Sequence, residues 1–158
     1  GKRNINLNSV FSLAMVDNYV VGYNIVDDES IDNKFKNSDL ELADILNKIQ
    51  AKKIGDLNNH KGALPSLKTA VLYPLYLKGR KTNKFHVLEN CTACGLCAAT
   101  CPDKCIKMDG KVPTWKNPTC VLCLGCINKC PQKAIQYGKK TLKRRRYVNP
   151  MIRNVREI

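Results

Sequence analysis

Apolar residues in the first half of the chain come in short blocks whose spacing predicts a few small elements. Residues 10–16, Val-Phe-Ser-Leu-Ala-Met-Val, form a run bounded by Asn and Asp, the pattern of a buried strand, although periodicity alone leaves helix open. From Ser38 the spacing turns helical. Ser38 and Glu41 have capping-box spacing, Leu42, Ile45, Leu46 and Ile49 fall at i, i+3, i+4 and i+7 on one face, and Gly55 is the expected stop. A second helical stretch, over about 64–77, carries Leu67, Ala70, Val71 and Leu75 on one side, with Pro74 expected to kink or shorten it. Residues 78–84, Lys-Gly-Arg-Lys-Thr-Asn-Lys, have no apolar anchor and read as a connector between two packed units. Further on, residues 105–108 and 111–114 flank Asp109-Gly110, the preferred pair for a two-residue hairpin turn. The tail, 139–158, holds Lys139, Lys140, Lys143 and the Arg144-Arg145-Arg146 run, interrupted by Tyr147, Val148, Met151 and Ile152. It is too basic to form a core, and its apolar residues predict that it packs in part.

Composition narrows the class. With 158 residues, 44% hydrophobic and 25% charged, the chain is that of a globular protein, which excludes long disorder and collagen. No stretch approaches the roughly 18 to 20 uninterrupted apolar residues that cross a bilayer, so no membrane span is expected. Lys2-Arg3 ahead of the apolar run imitates a signal peptide, but asparagines at 4, 6 and 8 interrupt it and no small-residue cleavage site follows, so a cytoplasmic chain is expected. The net charge of +14 is unevenly placed: residues 1–77 hold nine basic and nine acidic side chains, residues 78–158 hold 18 and four. A basic field of that size implies an anionic partner, whether an acidic protein face, nucleic acid, a phosphorylated cofactor or a membrane surface.

The basic half also holds all nine cysteines. Cys91, Cys94, Cys97 and Cys101 are followed at once by Pro102, and Cys120, Cys123, Cys126 and Cys130 by Pro131. A shift of 29 residues superposes the four cysteines and the proline, together with Lys104 on Lys133 and Ile106 on Ile135, so the segment is an internal repeat. A cubane iron–sulfur cluster needs four thiolates at the corners of a tetrahedron. Three cysteines spaced by two residues let one tight loop supply three corners, and the fourth comes from elsewhere. Gly95 and Gly125 sit among the cysteines, where a missing side chain is expected to let the backbone close round the sulfides.

Other cysteine chemistries fit this spacing less well. Disulfides persist in oxidising compartments. Structural zinc pairs two C-x-x-C or C-x-x-H units, whereas three cysteines at x-x gaps precede a Cys-Pro here, twice. A thioredoxin-like pair would be an isolated C-x-x-C in a βαβ setting. Cys105 aligns with Ala134 in the repeat and reads as a small buried core residue, all eight corners being taken. Trp115 reads as a hydrophobic cover over a cluster or the domain seam, and His60 and His86 have no ligand-like spacing.

Over residues 85–138 the two motifs and the closing Cys-Pro-Gln-Lys-Ala-Ile resemble bacterial-type two-cluster ferredoxins. A closer likeness comes from residues 140–150, Lys-Thr-Leu-Lys-Arg-Arg-Arg-Tyr-Val-Asn-Pro, which resemble the tail of flavodoxin-ferredoxin fusion proteins of anaerobes. Met15-Val16-Asp17-Asn18-Tyr19 is similar to the Met-Pro-x-Asn-Tyr segment of that family's flavodoxin-like part, departing from it at Val16. The resemblance implies an α+β chain: a partial flavodoxin-like α/β segment over 1–77, a linker over 78–84, a pseudo-twofold two-cluster ferredoxin module over 85–138 and a basic tail. In two-cluster ferredoxins the fourth cysteine of each run serves the other cluster. The implied ligands are therefore Cys91, Cys94, Cys97 and Cys130 for one 4Fe-4S cluster and Cys120, Cys123, Cys126 and Cys101 for the other. The Ser/Thr/Gly-rich loop that grips a flavin phosphate is missing, so no FMN is expected in this chain, and the front of that domain is expected to be lost or to lie elsewhere. The implied function is one-electron transfer without enzymatic chemistry, to a redox partner with an acidic docking face or a flavin. The alternatives are an electron-delivery module of a flavin-dependent oxidoreductase or larger complex, and a nucleic-acid binder built round a structural cluster. The last lacks aromatic residues interleaved with its basic ones.

Overall fold

The computed structural model describes residues 6–150. Their contacts divide into two units, one drawing on residues 1–16 and 26–71, the other on 17–25 and 72–158. Met151 and Ile152 of the tail, and the Lys2-Arg3 start, lie outside the described residues.

In the first unit, β1 (Ser9–Phe11) and β2 (Gly55–Leu57) pair in parallel, with α1 (Asp28–Gln50) between them in sequence. The strand expected over 10–16 shrinks to three residues, and beyond it the chain is held by side-chain hydrogen bonds. The Glu41 carboxylate accepts the Ala14 N–H at 3.2 Å, and Ser12 Oγ accepts the His60 N–H at 3.2 Å. Helix α1 starts ten residues before Ser38. Asp27 caps it, its Oδ1 accepting the Ser30 N–H at 2.8 Å, and Asp28 and Glu29 complement the helix dipole in the first turn. Ser38 is instead an interior residue whose hydroxyl donates to the Phe35 carbonyl. Nor does Gly55 end the helix. Lys52 does, at φ 51°, with its N–H on the Ile49 carbonyl and the Lys53 N–H on the Lys48 carbonyl, a Schellman closure. Of the expected apolar stripe only Ile45 is half-buried; Leu42, Leu46 and Ile49 stay exposed. Helix α2 (Pro65–Gly79) runs through Pro74 and buries none of its side chains.

The second unit is built on the repeat. Strands β3 (Phe85–Val87), β4 (Ile106–Asp109), β5 (Val112–Trp115) and β6 (Ile135–Tyr137) alternate with two single-turn helices, α3 (Leu96–Ala99) and α4 (Gly125–Asn128). The same 29-residue shift carries α3 onto α4 and the start of β4 onto that of β6. Pairing is exchanged between the halves: β3 is antiparallel to β6, and β4 to β5. The β4–β5 hairpin forms as expected, but Asp109 pairs with Val112, so the turn is Gly110-Lys111. Only Gly110 of the two is left-handed, at φ 57°, which suits a turn with glycine in its first central position.

The core of this unit comprises Leu122, Leu124, Ile127, Ala134, Ile135 and Tyr137, with Val20 and Ile25 from residues 17–25. Each fully buried leucine, isoleucine or valine contributes roughly 1.5–3 kcal/mol. Residues 78–84, expected to be a connector, are tied to this core. The Tyr137 hydroxyl donates to the Gly79 and Lys81 carbonyls at 3.0 and 3.1 Å, and buried Thr82 donates to the Asn117 carbonyl. The basic run is likewise held inward: Arg144 Nη1 donates to the Val20 carbonyl at 2.7 Å, and the Arg145 N–H to Asn24 Oδ1 at 2.9 Å.

Thr141, 0% exposed, joins the tail to β6: its Oγ1 accepts the Tyr137 N–H at 2.9 Å and donates to Gln136 Oε1 at 2.8 Å. Thr141→Val keeps the shape and orphans the Tyr137 N–H, while Gln136 Oε1 keeps the Arg146 guanidinium, so it should cost about 1–3 kcal/mol, and Thr141→Ser should cost less. Anaerobic thermal unfolding of the two variants checks this; equal losses would show that packing, and not the hydroxyl, sets the cost.

Candidate metal centre

Each motif begins where a strand of the second unit ends, and its loop turns by way of left-handed residues. Ala93 and Leu122 have φ 54° and 47°, Gly95 and Leu124 have 73° and 56°, and Lys104 and Lys133 have 45° and 50°. All three pairs are 29 residues apart, so the backbone repeats the sequence repeat. Side chains cost about 1–2 kcal/mol at such positions. Here the turns direct amides at sulfur: the Leu122 N–H donates to Cys120 Sγ at 3.4 Å and the Ala134 N–H to Cys130 Sγ at 3.3 Å. The glycine expectation holds for Gly95 alone. Its counterpart is Leu124, only 2% exposed, whose burial offsets the strain, while Gly125 is not left-handed and a Cβ there would meet Cys123 Sγ at an ordinary 3.7 Å.

All nine cysteines are free thiols, and they surround two cavities. The first is lined by Cys91, Cys94, Cys97 and Cys130, with Met108, Pro113 and Ile135 as apolar wall. The second is lined by Cys120, Cys123, Cys126, Cys101 and also Cys105, with Phe85 and Trp115 alongside. Each cavity thus takes three sulfurs from one motif and the last cysteine of the other. Antiparallel β3–β6 and β4–β5 bring them together, extended by the Leu88 N–H on the Ala134 carbonyl and the Lys116 N–H on the Cys105 carbonyl, at 2.9 and 2.8 Å.

Cys94 and Cys123 are exposed, whereas Cys105 and Cys120 are buried. Burial pushes the thiols of Cys97, Cys120 and Cys126 up from their ordinary range. It also pushes Cys105 up to about 12, helped by the hydrogen bond to Cys101. In the metal-free chain these groups are neutral at ordinary pH, and ligation as thiolates releases their protons. The donor sets fit an iron–sulfur cluster in kind: each cavity offers at least four thiols, amides aimed at sulfur and an apolar wall. Among the described residues no three His, Cys, Asp or Glu side chains converge closely enough to hold a single metal ion.

Trp115 stacks on Phe85 at 4.6 Å, nearly parallel, and both line the second cavity, so the expected cover is in place. His60 faces Glu41 at 2.9 Å, in the other unit. Three features are absent from the sequence reading: Cys105 in the cavity wall, Leu124 as the left-handed partner of Gly95, and the inward placement of Arg146. The Arg146 guanidinium donates to Gln136 Oε1 at 2.8 Å and to the Thr141 carbonyl at 3.0 Å, leaving its buried Nε without a protein partner. Burial lowers its pKa, and the Cys130 sulfur opposes that shift. The 29-residue alignment carried the signal for Leu124; the charge run marked Arg144 to Arg146 as a group, and nothing local showed which of them turns inward.

Residues 77–135, which take in all nine cysteines, match the family described as the 4Fe-4S dicluster domain, and the match supports a ferredoxin-type 4Fe-4S domain over this stretch. No curated protein and no solved structure matches the chain. No helix among the described residues is long and apolar enough to cross a membrane.

Leu124→Gly separates strain from packing. Relief of the left-handed leucine returns about 1–2 kcal/mol, while loss of a buried leucine costs about 3–5 kcal/mol with its cavity. The variant should therefore lose about 1–4 kcal/mol in anaerobic unfolding; a more stable variant would show that strain dominates at this loop.

Proposed function

We propose that the chain is a one-electron carrier holding two 4Fe-4S clusters, one on Cys91, Cys94, Cys97 and Cys130, the other on Cys120, Cys123, Cys126 and Cys101. The observation that carries this is the division of the cysteines between two cavities, each walled by three from one motif and the closing cysteine of the other. The exchanged strand pairing and the matched left-handed positions support a pseudo-twofold relation between the halves. A zinc site would bring four sulfurs to about 2.3 Å from one ion. Among the described residues no three His, Cys, Asp or Glu side chains converge on one point, which favours a larger group over a single ion.

The clusters supply the redox chemistry, each gaining and losing one electron. The protein's share is to hold thiolates at the corners, to limit water through Phe85, Trp115, Met108 and Ile135, and to set the potential by amide hydrogen bonds and charge. No general base or nucleophile is required. The basic half of the chain suits a redox partner with an acidic face, and the parallel β1–α1–β2 unit fits part of a flavodoxin-like α/β domain.

Anaerobic reconstitution with iron and sulfide should load roughly eight irons and eight sulfides, with coupled EPR signals after dithionite reduction, while added FMN stays unbound. Zinc in place of iron, with no reducible signal, would make the cysteines structural and end the carrier reading.

Reduction adds negative charge, so a nearby cation raises the potential. Arg146→Gln should lower the potential of the cluster on Cys130 by on the order of 1 kcal/mol, or tens of millivolts, and shift the other less. Protein-film voltammetry reads both; an unchanged or raised potential would remove Arg146 from the account.

A further inference from the structure

An open groove runs along the face where β3 and β5 meet without pairing, each strand being bonded to a different neighbour, β6 or β4. Half-buried Phe85 and Trp115, stacked at 4.6 Å, line this groove, and the same two rings line the second cavity. Pro113 lines both the groove and the first cavity. One layer of side chains therefore separates this surface from the cysteine-lined cavities, and electron transfer weakens steeply with each layer added. The surface is also preformed. Thr82 ties its two sides together, its N–H donating to the Pro118 carbonyl at 2.9 Å and its hydroxyl to the Asn117 carbonyl.

The charge around the groove has one sign. None of the residues lining it is Asp or Glu, Lys116 and His86 lie in it at exposed positions, and exposed Lys84 and Lys111 stand next to lining residues in sequence. Lys107 pairs with Thr114 across the hairpin. The nearest carboxylates in this half of the chain lie at its margin or behind it: Asp109 pairs with Val112 at the hairpin turn, Glu89 follows β3, and Asp103 lines the second cavity. The arginine run is engaged elsewhere, Arg144 with the Val20 carbonyl and Arg146 with Gln136 and Thr141. An apolar aromatic wall set among cations complements an acidic protein face. A nucleic-acid strand would instead need successive exposed stacking platforms, and Phe85 with Trp115 is a single half-buried pair. Resting on the carrier reading, we infer that this groove is the docking surface for the acidic face of a one-electron redox protein, seated over Phe85 and Trp115. The transfer served there is balanced by one electron: donor oxidised, partner's acceptor reduced, with no bond made or broken and no proton moved in this chain.

The full-length chain, reconstituted anaerobically, is titrated with oxidised flavodoxin, an acidic one-electron flavoprotein, and with basic cytochrome c as the opposite-charge control. Binding is read by calorimetry at several salt concentrations and by fluorine NMR of fluorotryptophan at position 115, the single tryptophan of the chain. Flavodoxin should bind, more weakly as salt rises, and should shift the Trp115 signal, while cytochrome c should do neither. Thr114→Glu/Lys116→Glu should weaken flavodoxin binding by about tenfold or more. Lys143→Glu, at an exposed site outside the groove, should weaken it less, and Thr114→Lys should tighten it. Because Thr114→Lys is a gain, it decides even where the double glutamate variant fails to fold: no tightening overturns the inference. Absent or salt-independent binding, an unmoved Trp115 signal, an equal loss in Lys143→Glu, or displacement of flavodoxin by mixed-sequence RNA at equal concentration does the same. These outcomes in a chain that has taken up iron remove the docking surface alone, whereas a wild type that takes up no iron sinks the carrier reading.

Discussion

Each cavity of the second unit needs sulfurs on several sides, and no single loop supplies them all. Three cysteines at two-residue gaps curl round one side, and the chain then leaves through Cys-Pro towards the other cavity. Because Cys101 and Cys130 cross over, each cavity exists only when both halves are folded against one another. The exchanged pairing of β3 with β6 and β4 with β5 is the backbone counterpart of that crossing. Loss of either pairing removes a wall from both cavities, which makes the two halves one cooperative unit.

The loops carry backbone strain at Ala93, Leu122 and Leu124, and the surroundings compensate for it. Leu122 and Leu124 bury their side chains in the core, and a left-handed turn at Leu122 presents its amide to Cys120 Sγ. An amide pointed at sulfur favours negative charge there, which matters wherever thiolates and sulfides gather. Charge from further away reaches the site in the same sense. Arg146 is locked by Gln136 and Thr141 with part of its guanidinium buried, so its cation is fixed in place where an exposed one would be screened. The tail therefore acts as part of the cavity's surroundings, and residues 17–25 hold it through the Val20 and Asn24 acceptors.

The first unit is built differently. Its longest helix leaves much of an apolar stripe exposed, and its polar contacts, such as His60 on Glu41 and Lys61 on Asp56, lie at exposed positions. The physical consequence is a unit with little core of its own, in contrast to the densely buried group round Ile127 and Ile135.

The iron–sulfur character of the cysteine runs and the doubling of the motif were legible in the sequence, because cysteine spacing is a local property: a two-residue gap sets how tightly a loop curls, wherever that loop sits. The same holds for the hairpin after β4 and for the reading of Trp115 as a cover. Helix boundaries were less legible, since Asp27 and Lys52 end α1, while Ser38 bonds within the helix and Gly55 pairs into β2. Position across the chain was beyond local pattern. That Cys105 stands beside Cys101 in a five-sulfur wall, that Leu124 and not Gly125 answers to Gly95, and that Arg146 lies near Cys130 were decided by tertiary structure. Strand exchange brings together residues that no periodicity relates, and burial then determines which strained backbone and which buried charge the fold can hold.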